Sequence, residues 1–193
     1  MLQGLLQTTF STLFHPSEAF QSRAHRSHWW QAATLLWLIS SLLTFSAAGN
    51  VGLSAGQMAM GLVIGWGSTL LCWWICSMLL HFSSEIFGGQ GRLADTMTSV
   101  GLACLPLIFI APMTALPNLF GTTGYTLALL GWMGLIFWVL ALLTLALSAA
   151  QRFSLDRSIG ALILGVIVSA ALVCGSVALF VLQLFFWGAQ LAA

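Results

Sequence analysis

Apolar runs long enough to cross a bilayer recur five times, over residues 29–48, 57–80, 96–116, 125–150 and 159–187. About 20 apolar residues carry a helix across hydrocarbon, so each run predicts a transmembrane helix. Trp29 and Trp30 open the first run, where indole rings favour the headgroup level. Gly49-Asn50-Val51-Gly52, Pro117-Asn118 and Gly121-Thr122-Thr123-Gly124 are turn signals in breaks without charge. The other breaks are polar: His81-Phe82-Ser83-Ser84-Glu85 leads into Gly88-Gly89-Gln90-Gly91, and Gln151 to Arg157 separates the fourth run from the fifth. Pro106 and Pro112 fall inside the third run.

Ahead of these runs, Leu2, Leu5, Leu6, Phe10, Leu13 and Phe14 recur at helical spacing with polar residues between them. That pattern predicts a short amphipathic helix lying in the membrane interface, apolar face down. His15-Pro16 ends it, because proline disfavours helix in the residue before it. Ser17 to His28 is a polar juxtamembrane segment. The expected organisation is residues 1–28 as interfacial helix and juxtamembrane segment, and 29–193 as a five-helix transmembrane domain. A secretory signal peptide would place positive charge before a short apolar run, whereas the first arginine here is Arg23.

Composition agrees with a membrane solvent. Of 193 residues, 60% are hydrophobic and 5% charged, against about 25% charged in an ordinary soluble domain. Too few charges remain to solvate a globule in water. A net charge of +1 offers no basic field for nucleic acid. All five basic residues are arginines, Arg23, Arg26, Arg92, Arg152 and Arg157, and with five crossings they fall on one side. Arginine-rich short loops stay in the cytoplasm, so the N-terminus is expected inside and the C-terminus outside.

The interior limits the chemistry. Intramembrane ionisable residues mark proton relays, ion paths and substrate sites, and no Asp, Glu, Arg or Lys lies within the five runs. No catalytic residue, cofactor or metal is expected. Cys72, Cys76, Cys104 and Cys174 lie in apolar stretches and read as small packing residues. A soft-metal site at Cys72 and Cys76 would need thiolates and supporting partners. Ser83, Ser84 and His81 are close in sequence but have no carboxylate to orient them in a known hydrolase pattern. Gly61-x-x-x-Gly65 and Gly165-x-x-x-Ser169 permit close helix approach, within the chain before between chains. Polar chemistry is left to the charged rim, as a solvated edge or as a site for a protein or lipid headgroup.

The stretch Phe87-Gly88-Gly89-Gln90-Gly91-Arg92-Leu93-Ala94-Asp95-Thr96, running on to Pro106, resembles the Ypt-interacting-protein (YIP) family. That family has an early Pro-x-x-x-Phe, matched by Pro16-Ser17-Glu18-Ala19-Phe20. It also has a Gly-Gly pair after the second helix and a proline within the third, matched by Gly88, Gly89 and Pro106. The resemblance implies an all-α, polytopic bundle with a cytoplasmic N-terminus. Eukaryotic members are associated with Rab-type GTPases and vesicle traffic through a long soluble N-terminal region, which this chain lacks. The compact form resembles the bacterial branch, implying the inner membrane.

The expected function is non-enzymatic: a membrane protein that organises or assists membrane components, with lipids, other membrane proteins or its own copies as partners. The alternative is a channel, scramblase or transporter for lipid or a small solute. The expected site is the cytoplasmic loop of Glu85, Gly88, Gly89, Gly91, Arg92, Asp95 and Pro106. Pro106 should kink the third helix against the carbonyl of Leu102. A hollow bordered by Glu85, Arg92 and Asp95 should follow, with Arg92 paired to an acidic residue or a lipid phosphate.

Overall fold

The computed structural model describes residues 12, 20, 29–51 and 54–171. The expected interfacial helix over 1–14 and the end of the fifth run therefore lie almost wholly outside the described residues. Among the described residues the regular structure is helical throughout: α1 (Trp29–Val51), α2 (Ala55–Ile86), α3 (Leu93–Ala103), a 3-10 turn (Leu105–Phe109), α4 (Ile110–Gln151) and α5 (155–171).

Local chemistry sets the boundaries. Ser54 caps α2 by accepting from the Gln57 amide, while the Gln57 side chain accepts from the Ser54 amide. This reciprocal box fixes the start two residues before the apolar run. α2 then continues past the run to Ile86, 32 residues in all, about 48 Å at 1.5 Å per residue. A hydrocarbon core is about 30 Å thick, so α2 is longer than a crossing requires.

The third run is broken at the expected proline. α3 stops at Ala103 and Pro106 enters the first turn of the 3-10 segment, where a missing N–H costs no intrahelical bond. The next expected turn is much tighter than the sequence pattern predicts. Helical hydrogen bonding runs through Pro117, and the reversal is concentrated at Gly121, with φ 56° and ψ −131°. Phe109 and Trp138 would lie about 43 Å apart in one straight helix, yet their rings stack at 6.1 Å. The two arms of α4 therefore run back along each other. A Cβ at Gly124 would strike the Leu116 carbonyl and lie 2.8 Å from Pro117 Cα, so the corner closes only around glycine.

Small residues let the helices meet. A Cβ at Gly101 would lie 2.5 Å from Ala32 Cβ and 3.1 Å from Trp73 Nε1, where α1, α2 and α3 converge. Gly61 and Gly65 face Thr44 and Ser40 of α1, and Gly165 of α5 faces Leu80 of α2. Both small-residue motifs thus serve packing within the chain. Indole donors are satisfied in the same contacts: Trp66 Nε1 donates to Ser41 Oγ at 2.9 Å and Trp73 Nε1 to the Met97 carbonyl at 3.0 Å.

Two stretches, Ala55–Ile86 and Leu93–Gln151, are long and apolar enough to cross a membrane, the second being the one folded back at Gly121. Only 11% of the most apolar part of the first and 28% of the second is buried. A soluble core helix hides that face. Here Val63, Leu71, Leu129 and Phe137 are each more than half exposed, and lipid is the solvent that suits them.

Candidate functional site

α2 ends in a complete Schellman motif. The Gly88 amide donates to the Glu85 carbonyl and the Gly89 amide to the Ser84 carbonyl, both at 2.9 Å. Gly88 takes the left-handed conformation this requires, with φ 81°. The other two glycines are needed for space, not for backbone angle. A Cβ on Gly89 would come within 2.6 Å of Gln151 Oε1 and 2.9 Å of the Ser84 carbonyl. One on Gly91 would strike the Ala150 carbonyl. The loop therefore lies flat against the end of α4.

Gln151 holds it there. The Gln90 amide donates to the Gln151 carbonyl at 3.1 Å and the Gly91 amide to Gln151 Oε1 at 2.9 Å. On the other side, Gln151 Nε2 lies 2.8 Å from both His81 Nδ1 and Thr96 Oγ1. Thr96 also bonds back to the Arg92 carbonyl at 3.4 Å, and His81 Nε2 reaches Glu85 Oε1 at 3.4 Å. Gln151 and Thr96 are fully buried and His81 nearly so. One glutamine thus joins α2, α3, α4 and the loop between α2 and α3.

Of the expected site residues, Glu85, Gly88, Gly89, Gly91 and Arg92 meet around this network. Asp95 contributes its amide to the first turn of α3, and Pro106 lies a helix away at the break. Arg92 has no acidic partner among the described residues, and Glu85 is turned to His81 instead. An apolar cavity of about 820 Å³ lies between α1, α2 and the start of α3, lined by Trp29, Trp73, Trp74, Leu93 and Met97 among others. Glu85, Arg92 and Asp95 do not line it.

Sequence reasoning missed Gln151 and Thr96. Their signal was thin: polar residues in the terminal turns of apolar runs, with His81 four before Glu85 on one helix face. Ser84 Oγ donates to the Leu80 carbonyl at 2.6 Å, and the His81 ring atoms are directed to Gln151, Thr96 and Glu85. His81 and Ser84 are therefore not aligned as base and nucleophile. Cys72 and Cys76 have sulfurs 3.9 Å apart and share a cavity of about 380 Å³ with Cys104.

The packing gives a sharp contrast between glycines. Gly89→Val forces a side chain onto the Ser84 carbonyl and the buried Gln151 amide. Gly131→Val meets the flexible end of Met113, 2.8 Å from the new Cβ. Gly89→Val should lower stability by about 1–3 kcal/mol, the range for overpacking, and Gly131→Val by less. Unfolding curves in mild detergent check this; equal losses would refute the close fit of the loop.

An all-helical fold whose longest apolar segments stay largely uncovered defines a membrane protein. The family model for the Yip1 domain matches residues 10–189, and the chain belongs to the Yip1 family. No curated protein and no solved structure matches it.

Proposed function

We propose that this chain is a non-enzymatic, five-span membrane protein whose charged end is a fixed docking platform for other membrane components. The observation that carries this reading is the Gln151 network, which holds the loop between α2 and α3 in one shape. The amides of Gly88, Gly89, Gln90 and Gly91 all bond inward, so the loop is not a phosphate cradle of the kind that glycine-rich loops form with free N–H groups. Recognition is left to side chains. Arg92 and Arg157 are exposed, and Arg157 lies against Gly88. A guanidinium holds a carboxylate or a phosphate bidentately, which suits an acidic partner segment or an anionic headgroup.

A photoreactive residue substituted for Gln90, which is exposed and contributes only its amide, should crosslink a discrete partner in intact membranes. Adducts no different from those of a probe at lipid-facing Leu129 would sink the platform reading.

The platform faces the cytoplasm in this proposal, in an inner membrane of bacterial type. Contact between the Gly88–Gly91 loop and the end of α4, with the Gly121 reversal in a chargeless break, supports an arrangement with Arg92, Arg152 and Arg157 on one side. Reporter fusions after Asn118 and after Ala193 should both read the outer side. A cytoplasmic reading from either would overturn the topology.

A second reading, passage or scrambling of lipid, is favoured by the 820 Å³ apolar cavity beside Trp29 and Trp74. Reconstituted liposomes with a fluorescent lipid in one leaflet discriminate it: accelerated leaflet exchange supports it, and an unchanged rate excludes it.

A further inference from the structure

We propose that the charge on His81 decides whether the Gly88–Gly91 loop is locked, so that the rim responds to acidification. The biological use of this switch rests on the docking reading above; the switch itself rests on hydrogen-bond geometry.

The assignment begins at Gly91. Its N–H is only a donor, so the Gln151 atom 2.9 Å from it must be the acceptor, Oε1. That fixes the amide's orientation and points Nε2 at His81 and Thr96. Nε2 carries two hydrogens and has two partners at 2.8 Å, so both are in use. His81 Nδ1 must then offer a lone pair. The ring is neutral, with its hydrogen on Nε2 directed at Glu85 Oε1, 3.4 Å away.

A second proton can go only to Nδ1. The 2.8 Å approach of Nδ1 to Gln151 Nε2 then sets donor against donor and must open. Thr96 Oγ1, at 3.3 Å, can accept from the new N–H, but this does not relieve the clash with Nε2. Turning the glutamine amide over would satisfy Nδ1 and set Nε2 against the Gly91 N–H instead. No orientation of Gln151 serves both the imidazolium and Gly91.

The neighbouring charges do not alter this. Glu85, from the same helix, faces Nε2 and supplies a counter-ion on the side away from Gln151. Among the described residues, Arg92 before α3, Asp95 on α3, Arg152 after α4, and Asp156 and Arg157 on α5 make no hydrogen bond or ion pair with the ring. The lock is therefore complete while His81 is neutral and is lost when the ring takes up a second proton. Histidine is the side chain whose ordinary charge change falls between pH 5 and 8.

Hydrogen–deuterium exchange tests this on the full chain in lipid nanodiscs. Exchange in a peptide spanning Gly88 to Arg92 is followed from pH 8 to pH 5 and normalised to unstructured-peptide rates at each pH. Protection of the Gly91 amide, which is bonded to the Gln151 side chain, should fall at least about tenfold on acidification, which is 1.4 kcal/mol in opening free energy. His81→Asn keeps a side-chain oxygen to accept from Gln151 and cannot take up the proton, so its protection should stay level. Level protection in the unsubstituted chain, or an equal fall in His81→Asn, overturns the switch.

If His81→Asn does not fold, Glu85→Gln decides. Removing the counter-ion must move the transition to lower pH, and an unmoved midpoint overturns the proposal. The Gln90 crosslink separates the two readings. Exchange that responds to pH without any discrete partner sinks the platform alone, and a partner captured over a loop whose exchange stays level sinks the switch alone.

Discussion

Gln151→Leu frees the glycine loop and lowers stability by about 1–3 kcal/mol, the range for removing one partner of a buried hydrogen bond. The Gly91 N–H and His81 Nδ1 both lose the amide, and His81 Nδ1 keeps only the Thr96 hydroxyl at 3.3 Å. Leucine nearly fills the volume, so the loss reports hydrogen bonding more than a cavity. The backbone bond from Gln90 to the Gln151 carbonyl survives, and the loop stays tethered at one point. Gln90→Ala, at an exposed position beside it, should change stability by less than about 0.5 kcal/mol. Denaturant titration in mild detergent measures both, and trypsin susceptibility at Arg92 reads the loop directly. Equal midpoints for the two variants would remove Gln151 from its central role.

The contrast between Gln151 and Gln90 also shows what the sequence could reveal. Gly88-Gly89-Gln90-Gly91 reads as a break between the second and third runs, and the Schellman bonds end α2 there. Pro106 reads as a break in the third run, and the helix stops three residues before it. Local rules are enough in both cases. Whether Gln151 is an exposed loop residue or the centre of a network depends on how α4 is rotated against α2 and α3. His81 and Thr96 are 70 and 55 positions away along the chain, and no local pattern encodes that meeting.

The turn near Pro117 was legible in kind but not in form. Several turn-favouring residues predicted a loop, whereas packing Gly124 against Leu116 concentrates the reversal at one glycine. Arg152 carries a similar lesson. It takes the left-handed position after α4, with φ 57°, where glycine is the usual occupant. Read as sequence, it is only one more positive charge.

Phe20→Ala should cost about 3–5 kcal/mol, the range for truncating a fully buried phenylalanine. Phe20 is only 2% exposed and packs in one cluster with Leu35 of α1, Leu102 of α3 and Leu142 of α4. Sequence placed it in a polar juxtamembrane segment, beside Glu18, Gln21 and Arg23. That setting is what makes its burial strong: released from the bundle, the ring returns to water or the interface, so the full hydrophobic transfer is at stake. Helices already in lipid gain mainly packing when they associate. The phenylalanine of the Pro16-x-x-x-Phe20 motif therefore acts as an apolar plug tying the N-terminal segment to three helices. Phe20→Leu should retain most of the stability by keeping an apolar group of similar volume. Phe82→Ala is the control, since Phe82 is 57% exposed and should lose little. Equilibrium unfolding of the three variants in one detergent ranks them. A loss at Phe20→Ala no larger than at Phe82→Ala would show that the plug does not hold the bundle together.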